Sequence, residues 1–345
     1  QHELVKVMGS AKALIYVSLF EGFGLPIVEA MKAHVPVITS NVSSMPEIAA
    51  DAALLVDPLS VQVLFAAHPL VLPVEPIQAA LRAYHPELSA ATVELAELPA
   101  QDAPTQAQGS PSAVVGLLAW KDHVIKLVGF NAPMPASAVE RCVAPAHYPA
   151  EIKQQAFQHA THVLLYYAGY EPNPLEQYVA LVAATAALVP HGAIVALNEQ
   201  ARTSVPAWVF LPNEEDRGDT LSAMRSLPLP FFYAGFVKME VAGEEGVWMR
   251  TYGCHSFGLP DLAMRTEGHH RGSATFSLFS NMLDYLRYEK QTFAAGDTIG
   301  TSEGDYLRLR LRNSDEWFLD GDEPLFVLEP LPPEELAALQ RSTPE

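Results

Sequence analysis

The chain has 345 residues, 49% of them hydrophobic and 18% charged, which is enough apolar material for a core and a length that suggests about two domains. Its 40 Asp and Glu outnumber 21 Lys and Arg, and a net charge of −19 repels phosphate backbones and anionic lipid, which argues against nucleic acid as a partner. Only two cysteines are present, Cys142 and Cys254, far apart and in no CxxC pair, so no disulfide framework or thiolate zinc site is expected and a reducing cytoplasm is.

In chain order, His2 to Ala11 reads as a helix, Ala13 to Val17 as a strand and Leu25 to Ala33 as a helix. Pro36 to Thr39 is then a strand, Ser44 to Ala50 a short helix and Ala53 to Val56 a strand. That alternation implies a parallel sheet. The turn after the first strand, FEGFGLPIVEAM, carries two glycines, Gly22 and Gly24, which let backbone approach a ligand closely. The helix that follows directs N–H groups at an anion, and Glu29, one turn in, can accept hydrogen bonds from a pair of sugar hydroxyls. Together these describe a site for a hydroxyl-rich, phosphate-bearing ligand.

The run SLFEGFGLPIVEAMKAHVPVITSNVSSMPEIAADAALLVDP resembles the C-terminal donor-binding half of family 4 (group 1) retaining glycosyltransferases, which have the GT-B fold. The resemblance covers roughly residues 1–59 and implies a Rossmann-like α/β fragment. It implies that Glu21 faces the donor sugar, that Gly22 and the backbone of Phe23, Gly24 and Leu25 meet the sugar and diphosphate, and that Glu29 holds the ribose. The implied ligand at residues 20–29 is a nucleotide sugar of UDP or GDP type, with no further cofactor and no metal. Against that pattern, the acceptor domain, the earlier part of the donor domain and the basic pair that neutralises the diphosphate have no counterpart here. Lys6, Lys12 and Lys32 supply the positive charge, so no glycosyl transfer is expected from this chain alone.

At Ser60 the pattern changes. Val61 to Ala67 reads as a strand that begins a domain, Pro73 to Tyr84 as a helix with proline at its opening, and Ala91 to Leu98 as a strand. Pro99 to Ser112 reads as a mobile loop, and Val114 to Trp120 and His123 to Phe130 as a hairpin around Lys121-Asp122. Tyr148 to Ala160 is expected to be a helix, Thr161 to Gly169 a strand, Pro174 to Val189 a buried helix and Ala193 to Asn198 a strand. The uncharged stretch from Tyr178 to Asn198 is broken by Pro190-His191-Gly192 into pieces too short to span a bilayer. No basic segment followed by an apolar run opens the chain, so no signal peptide is expected.

Phe231 to Ala242 and Val247 to Gly253 read as a second hairpin around Gly243 to Gly246, and Phe276 to Lys290 as an amphipathic helix. Tyr306 to Leu311 and Leu325 to Leu328 are expected strands, and Pro332 to Gln340 a terminal helix. The predicted organisation is a partial donor-binding segment at 1–59, an α+β domain at 60–330 with mainly antiparallel, hairpin-paired strands, and a helix and tail at 331–345. With THVLLYYAGYEPNPLEQY, TYGCHSFGLPDLAMR, GDTIG and WFLDGDEPLFVLEPL, residues 61–330 resemble the family known only as domain of unknown function 4261, which brings no activity to carry over.

Several residues invite chemistry and have plainer readings. His159 and His162 are three apart but straddle a helix end and a strand start, with no third ligand near, so a metal is not expected. His269-His270-Arg271 is read as a solvated loop rather than an anion site, and Asp320-Gly321-Asp322 as a polar turn. Cys254 and His255, adjacent in a strand, would point to opposite faces and form no dyad unless a turn intervenes. The loop Gly253 to Asp261 either positions a ligand or turns the chain, with the turn favoured. Phe231, Phe232, Tyr233, Trp248 and Tyr252 are expected in a core rather than on a docking surface, and Glu214-Glu215-Asp216 on a solvated face.

Overall fold

The structure, a computed structural model, describes residues 8–16, 24–40, 45–50, 52–56, 59–98, 113–213, 218–301, 306–320, 324–332 and 335. Two compact units result: residues 1–134, 158–196 and 207–224 form the first, and residues 135–157, 197–206 and 225–345 the second. No helix among the described residues is long and apolar enough to cross a membrane.

The front of the first unit is a parallel sheet in the order β1-β2-β3, with β1 Leu14–Tyr16, β2 Val37–Ser40 and β3 Ala53–Val56. Ile38 of β2 is in register with Ile15 on one side and Leu54 on the other. Helix α1, Leu25–Lys32, connects the first two strands, and a short helix, Met45–Ala49, connects the next two. Helical spacing decides which side of α1 is covered. Ile27 and Ala30 turn inward and form a core with Val35, Val37 and Met45, while Leu25, Glu29 and Lys32 share the exposed stripe.

The order of a seven-stranded sheet is β10-β9-β4-β8-β7-β6-β5. Its strands are β4 Ser60–Phe65, β5 Thr92–Leu98, β6 Ala113–Trp120, β7 His123–Phe130, β8 Thr161–Tyr167, β9 Ala193–Asn198 and β10 Thr203–Pro206. β4 pairs antiparallel with β8, Val63 opposite Val163, so the strand that opens the second part of the sequence lies inside the sheet. β5, β6 and β7 form a meander whose second turn is at Lys121, which adopts φ 49°. Helix α2, Pro174–Leu188, is capped by the Asn173 side chain and buried from Tyr178 to Leu188, as its alanine-rich sequence requires.

The second unit holds a six-stranded sheet ordered β11-β12-β13-β16-β15-β14. Its strands are β11 Gly235–Met239, β12 Val247–Tyr252, β13 Asp261–Thr266, β14 Thr298–Gly300, β15 Tyr306–Leu311 and β16 Leu325–Pro330. Its strands pair antiparallel except β13 with β16, where Leu262 faces Phe326 in parallel. Helix α3, Gly272–Glu289, lies in the connection between those two strands.

Four expectations change. Leu229–Phe232 is a helical turn, with a proline in its first positions, and the strand begins only at Gly235. The helix expected at Tyr148 to Ala160 is Ala150–Phe157, and a second one, Ala136–Val143, precedes it. Asp261–Thr266, where no element was expected beyond the end of a loop at Asp261, is a strand. Cys254–Phe257 is a 3-10 turn between Gly253 at φ 83° and Gly258 at φ 68°. The expected loop at 99–112 lies outside the described residues, as does most of the expected terminal helix.

Candidate functional site

Of the residues singled out in the turn, Glu21, Gly22 and Phe23 lie outside the described residues, while Gly24, Leu25 and Glu29 are placed. The turn leaves the carboxyl end of β1, where the hydroxyl of buried Thr39 donates to the carbonyl of Tyr16 at 2.7 Å. Gly24 has φ 63° and ψ 43°, a left-handed conformation that side chains rarely adopt. A Cβ there would also stand 3.2 Å from Cδ1 of Ile27. Among the described residues no side chain caps the helix. The Ile27 N–H donates to the Gly24 carbonyl at 3.0 Å, Pro26 has no N–H, and the Leu25 N–H has no carbonyl one turn back within the helix; Leu25 is 62% exposed.

Glu29 follows Leu25 by one turn on the same exposed stripe, and its carboxylate has no hydrogen bond or ion pair among the described residues. The described lysines of the segment sit elsewhere. Lys32 is in the last turn of α1, about 10 Å along the axis from the first at 1.5 Å per residue. Lys12 precedes β1 and is therefore at the amino end of the sheet, whereas parallel sheets take ligands at the carboxyl ends of their strands. Lys6 lies outside the described residues.

In the second unit a buried polar network gathers around Arg250, whose side chain is 2% exposed. Its Nε donates to the Thr251 carbonyl at 3.0 Å and its Nη1 to the Asp320 carbonyl at 2.8 Å. Its guanidinium carbon lies 3.7 Å from the centre of the Tyr252 ring. Asp261 accepts from the Thr251 hydroxyl at 2.9 Å and the Cys254 N–H at 3.3 Å, with Arg250 Nη2 at 3.6 Å. Burial pushes the Asp261 carboxyl up, and the Arg250 charge opposes but does not cancel that. Arg202, at φ 48°, donates to the Tyr252 hydroxyl and to Asp320, both at 2.9 Å. Burial raises the Asp320 carboxyl too, but the hydrogen bond and charge of Arg202 outweigh it and hold the group below the usual carboxylate range.

This network was not legible as a motif. The signal available was one arginine inside the apolar run Val247 to Tyr252, a position that forces burial of the charge. The loop from Gly253 to Asp261 thus serves to tie Asp261 to its donors. Cys254 is fully buried, and burial, with Asp261 adding to it, drives its thiol well above its ordinary range, away from the reactive thiolate. Burial likewise pushes Cys142 up to about 12.

The histidine pair is structural, for a reason that the sequence did not contain. His159 accepts the Met134 N–H at 2.7 Å, and His162 donates from Nδ1 to the Ala132 carbonyl at 2.8 Å, its ring stacked 4.7 Å from Phe130. Among the described residues no group of three His, Cys, Asp or Glu could hold a metal. His269 and His270 face carboxylates, Glu240 at 2.9 Å and Glu267 at 3.5 Å. Phe232, Tyr233, Trp248 and Tyr252 are buried, as expected of core aromatics. Asp322 and Glu214 to Asp216 lie outside the described residues.

Comparison with known proteins follows the same division. Residues 1–84 match the model of glycosyl transferases group 1, and residues 250–329 that of DUF4261, a domain of unknown function. The O-antigen chain mannosyltransferase B of Escherichia coli is 47% identical over 64 residues, 19% of this chain and 17% of that protein. The O-antigen chain mannosyltransferase RfbU of Salmonella typhimurium is 42% identical over 57 residues, 16% of each chain. The chain thus spans about a sixth of the length of these curated relatives. No solved structure matches. The first match runs past Leu59 through β4 and the helix Val74–Tyr84, and the second begins at Arg250 and takes in Asp261 and Asp320. The chain therefore carries a group 1 glycosyltransferase segment at residues 1–84 and a DUF4261 segment at residues 250–329.

Proposed function

We propose that residues 20–29 are the donor side of a nucleotide-sugar site and that this chain binds such a donor without transferring its sugar. The parallel sheet β1-β2-β3 is then part of a Rossmann-like GT-B donor segment, ending near Leu59, and residues 60–330 are an α+β part of unknown biochemical function. The observation that carries the reading is the start of α1: Gly24 held left-handed, Leu25 exposed, and Glu29 one turn below with its carboxylate uncommitted among the described residues. In this arrangement Glu21 faces the sugar, Gly22 to Leu25 meet the diphosphate, and Glu29 takes the ribose hydroxyls. The curated relatives are named mannosyltransferases, which supports mannose as the sugar; the carrier in this reading is UDP or GDP and the compartment the cytoplasm.

Transfer is a different matter. A leaving diphosphate needs a positive partner, and both described lysines of the segment stand at the far end from the turn. The test is a thermal melt of the full chain with GDP, UDP and GDP-mannose, run beside an assay for released mannose. A raised Tm without release is expected. A flat melt at millimolar nucleotide would remove the site, and released or transferred mannose would remove the claim of inactivity.

A second reading is favoured by one fact, that the curated relatives are about six times as long as the segment they share with this chain. Residues 1–59 would then complete a catalytic site built mostly by polypeptide outside this sequence. Reading the genomic DNA upstream of the Gln1 codon decides it, because an open frame encoding the remaining donor and acceptor parts is required.

A further inference from the structure

Beside helix α3 in the second unit lies an open cleft of about 1030 Å³, at the upper end of the range for small-molecule sites. One wall is the helix. Ser277, Asn281 and Tyr285 recur every four residues and so share one exposed face. Residues 291–301 also line the cleft, with Thr292, Phe293 and Thr298. Met264 of β13 and Leu307 of β15 add apolar surface. The rings of Tyr285 and Phe293 are within 19° of parallel, with centroids 6.5 Å apart, and Tyr285 is 51% exposed.

Three properties of this lining narrow the ligand. Its formal charges cancel, Arg265 and Arg271 against Glu267 and Asp297, and Arg265 is already 3.1 Å from Glu244. A polyphosphate therefore finds no excess positive charge here, and a chain of net charge −19 repels it at longer range. Second, the side chains of Ser277, Asn281, Thr292 and Thr298 make no hydrogen bond among the described residues. An apolar ligand laid over them would strand those groups at roughly 1–3 kcal/mol each. Third, an aromatic ring with an exposed face sits beside them, a flat apolar surface of the kind on which ring C–H groups pack.

A ligand that is uncharged, rich in hydroxyls and yet has flat C–H faces satisfies all three at once. We propose that the cleft binds an uncharged oligosaccharide of about two or three sugar rings. One ring lies against Tyr285, Asn281 bridges two neighbouring hydroxyls through its amide donor and acceptor, and Thr292 and Thr298 serve the next ring. Nothing in this depends on the donor turn of residues 20–29, which belongs to the other unit.

The experiment is saturation-transfer NMR on the full chain with mannotriose, maltotriose and cellotriose at millimolar concentration. At least one trisaccharide is expected to receive saturation, strongest on one ring, with the signal unchanged by GDP. Tyr285→Ala and Asn281→Ala should each weaken binding by about tenfold or more, as loss of a central anchor does. Both positions are exposed, so unaltered circular dichroism is expected and separates lost binding from lost folding. Saturation of none of the three sugars overturns the proposal. So does binding that both substitutions leave intact, or a signal that GDP displaces, which would place the sugar at the front segment instead. Loss of folding in both variants would also overturn it, since the two residues would then be structural.

Discussion

Nη2 of Arg250 lies 3.6 Å from Oδ2 of Asp261, and both side chains are almost wholly buried. Removing one member of such a pair is worse than lacking both, because the survivor keeps its desolvation cost without a counter-charge. Asp261→Ala is expected to lower stability by about 3–5 kcal/mol. Asp261→Asn, which can still accept from Thr251, should cost less. Urea unfolding of the two variants checks the order. A loss under about 1 kcal/mol for Asp261→Ala would mean that Arg250 is held by Thr251, Tyr252 and Asp320 alone.

His162 makes stability depend on pH with a definite sign. Burial drives its imidazole from 6.5 down to about 4, with the Ala132 carbonyl opposing and neighbouring His159 assisting. The unfolded chain therefore binds the proton first. The contribution is fully present above pH 6.5 and is lost as pH falls from 6.5 toward 4, amounting to about 3 kcal/mol at most at 1.36 kcal/mol per unit. Melting curves at pH 7, 6, 5 and 4.5 should show this loss. His162→Phe should start about 1 kcal/mol lower at pH 7, for the lost bond to Ala132, and fall less steeply.

Gly235 is a place where one methyl group is too many. A Cβ there would stand 1.7 Å from the carbonyl oxygen of Ala201, which is backbone and cannot swing away. Ala201 is itself fixed by Asn198, whose Oδ1 accepts the Ala201 N–H and whose Nδ2 donates to the carbonyls of Phe232 and Tyr233. Gly235→Ala is expected to cost about 3 kcal/mol, and Asn198→Ala about 2–4 kcal/mol from stranded partners. A Tm unchanged by Gly235→Ala would show that the loop Asn198 to Arg202 yields.

Glu29 and Ile27 stand two residues apart on α1 and should fail in opposite ways. Ile27 is fully buried, so Ile27→Ala should destabilise the front segment by about 2–5 kcal/mol whatever the ligand. Glu29→Gln, on the exposed stripe, should change stability by less than about 0.5 kcal/mol and yet abolish the Tm gain from GDP. A retained gain would mean that Glu29 does not touch the ribose.

What could be read from the sequence was what local chemistry decides. The alternation in residues 13–56 is set by strand and helix periods within a few residues, and the parallel sheet followed from it. The hairpin at Lys121-Asp122 is equally local. The pairing of β13 with β16 joins Leu262 to Phe326, and no window of sequence contains both. Phe231 and Phe232 looked like strand because aromatics favour it, while the prolines that start a helical turn were the better guide. In the candidate site, the turn was visible because glycine and glutamate have positional meaning. The Arg250 network was hidden because burial, not neighbouring sequence, gives it its partners.

Phe65 of β4 finds its partner Thr161 only 96 positions later. On a ribosome adding 5–20 residues per second, β4 therefore waits roughly 5–20 s for the strand that shields it. Its side chains from Val61 to Phe65, buried in the finished sheet, stay uncovered for that interval. Nascent chains of this protein should accordingly be held by chaperones until β8 has left the exit tunnel, and a pause between the codons for Phe65 and Thr161 should raise aggregation more than an equal pause after β8.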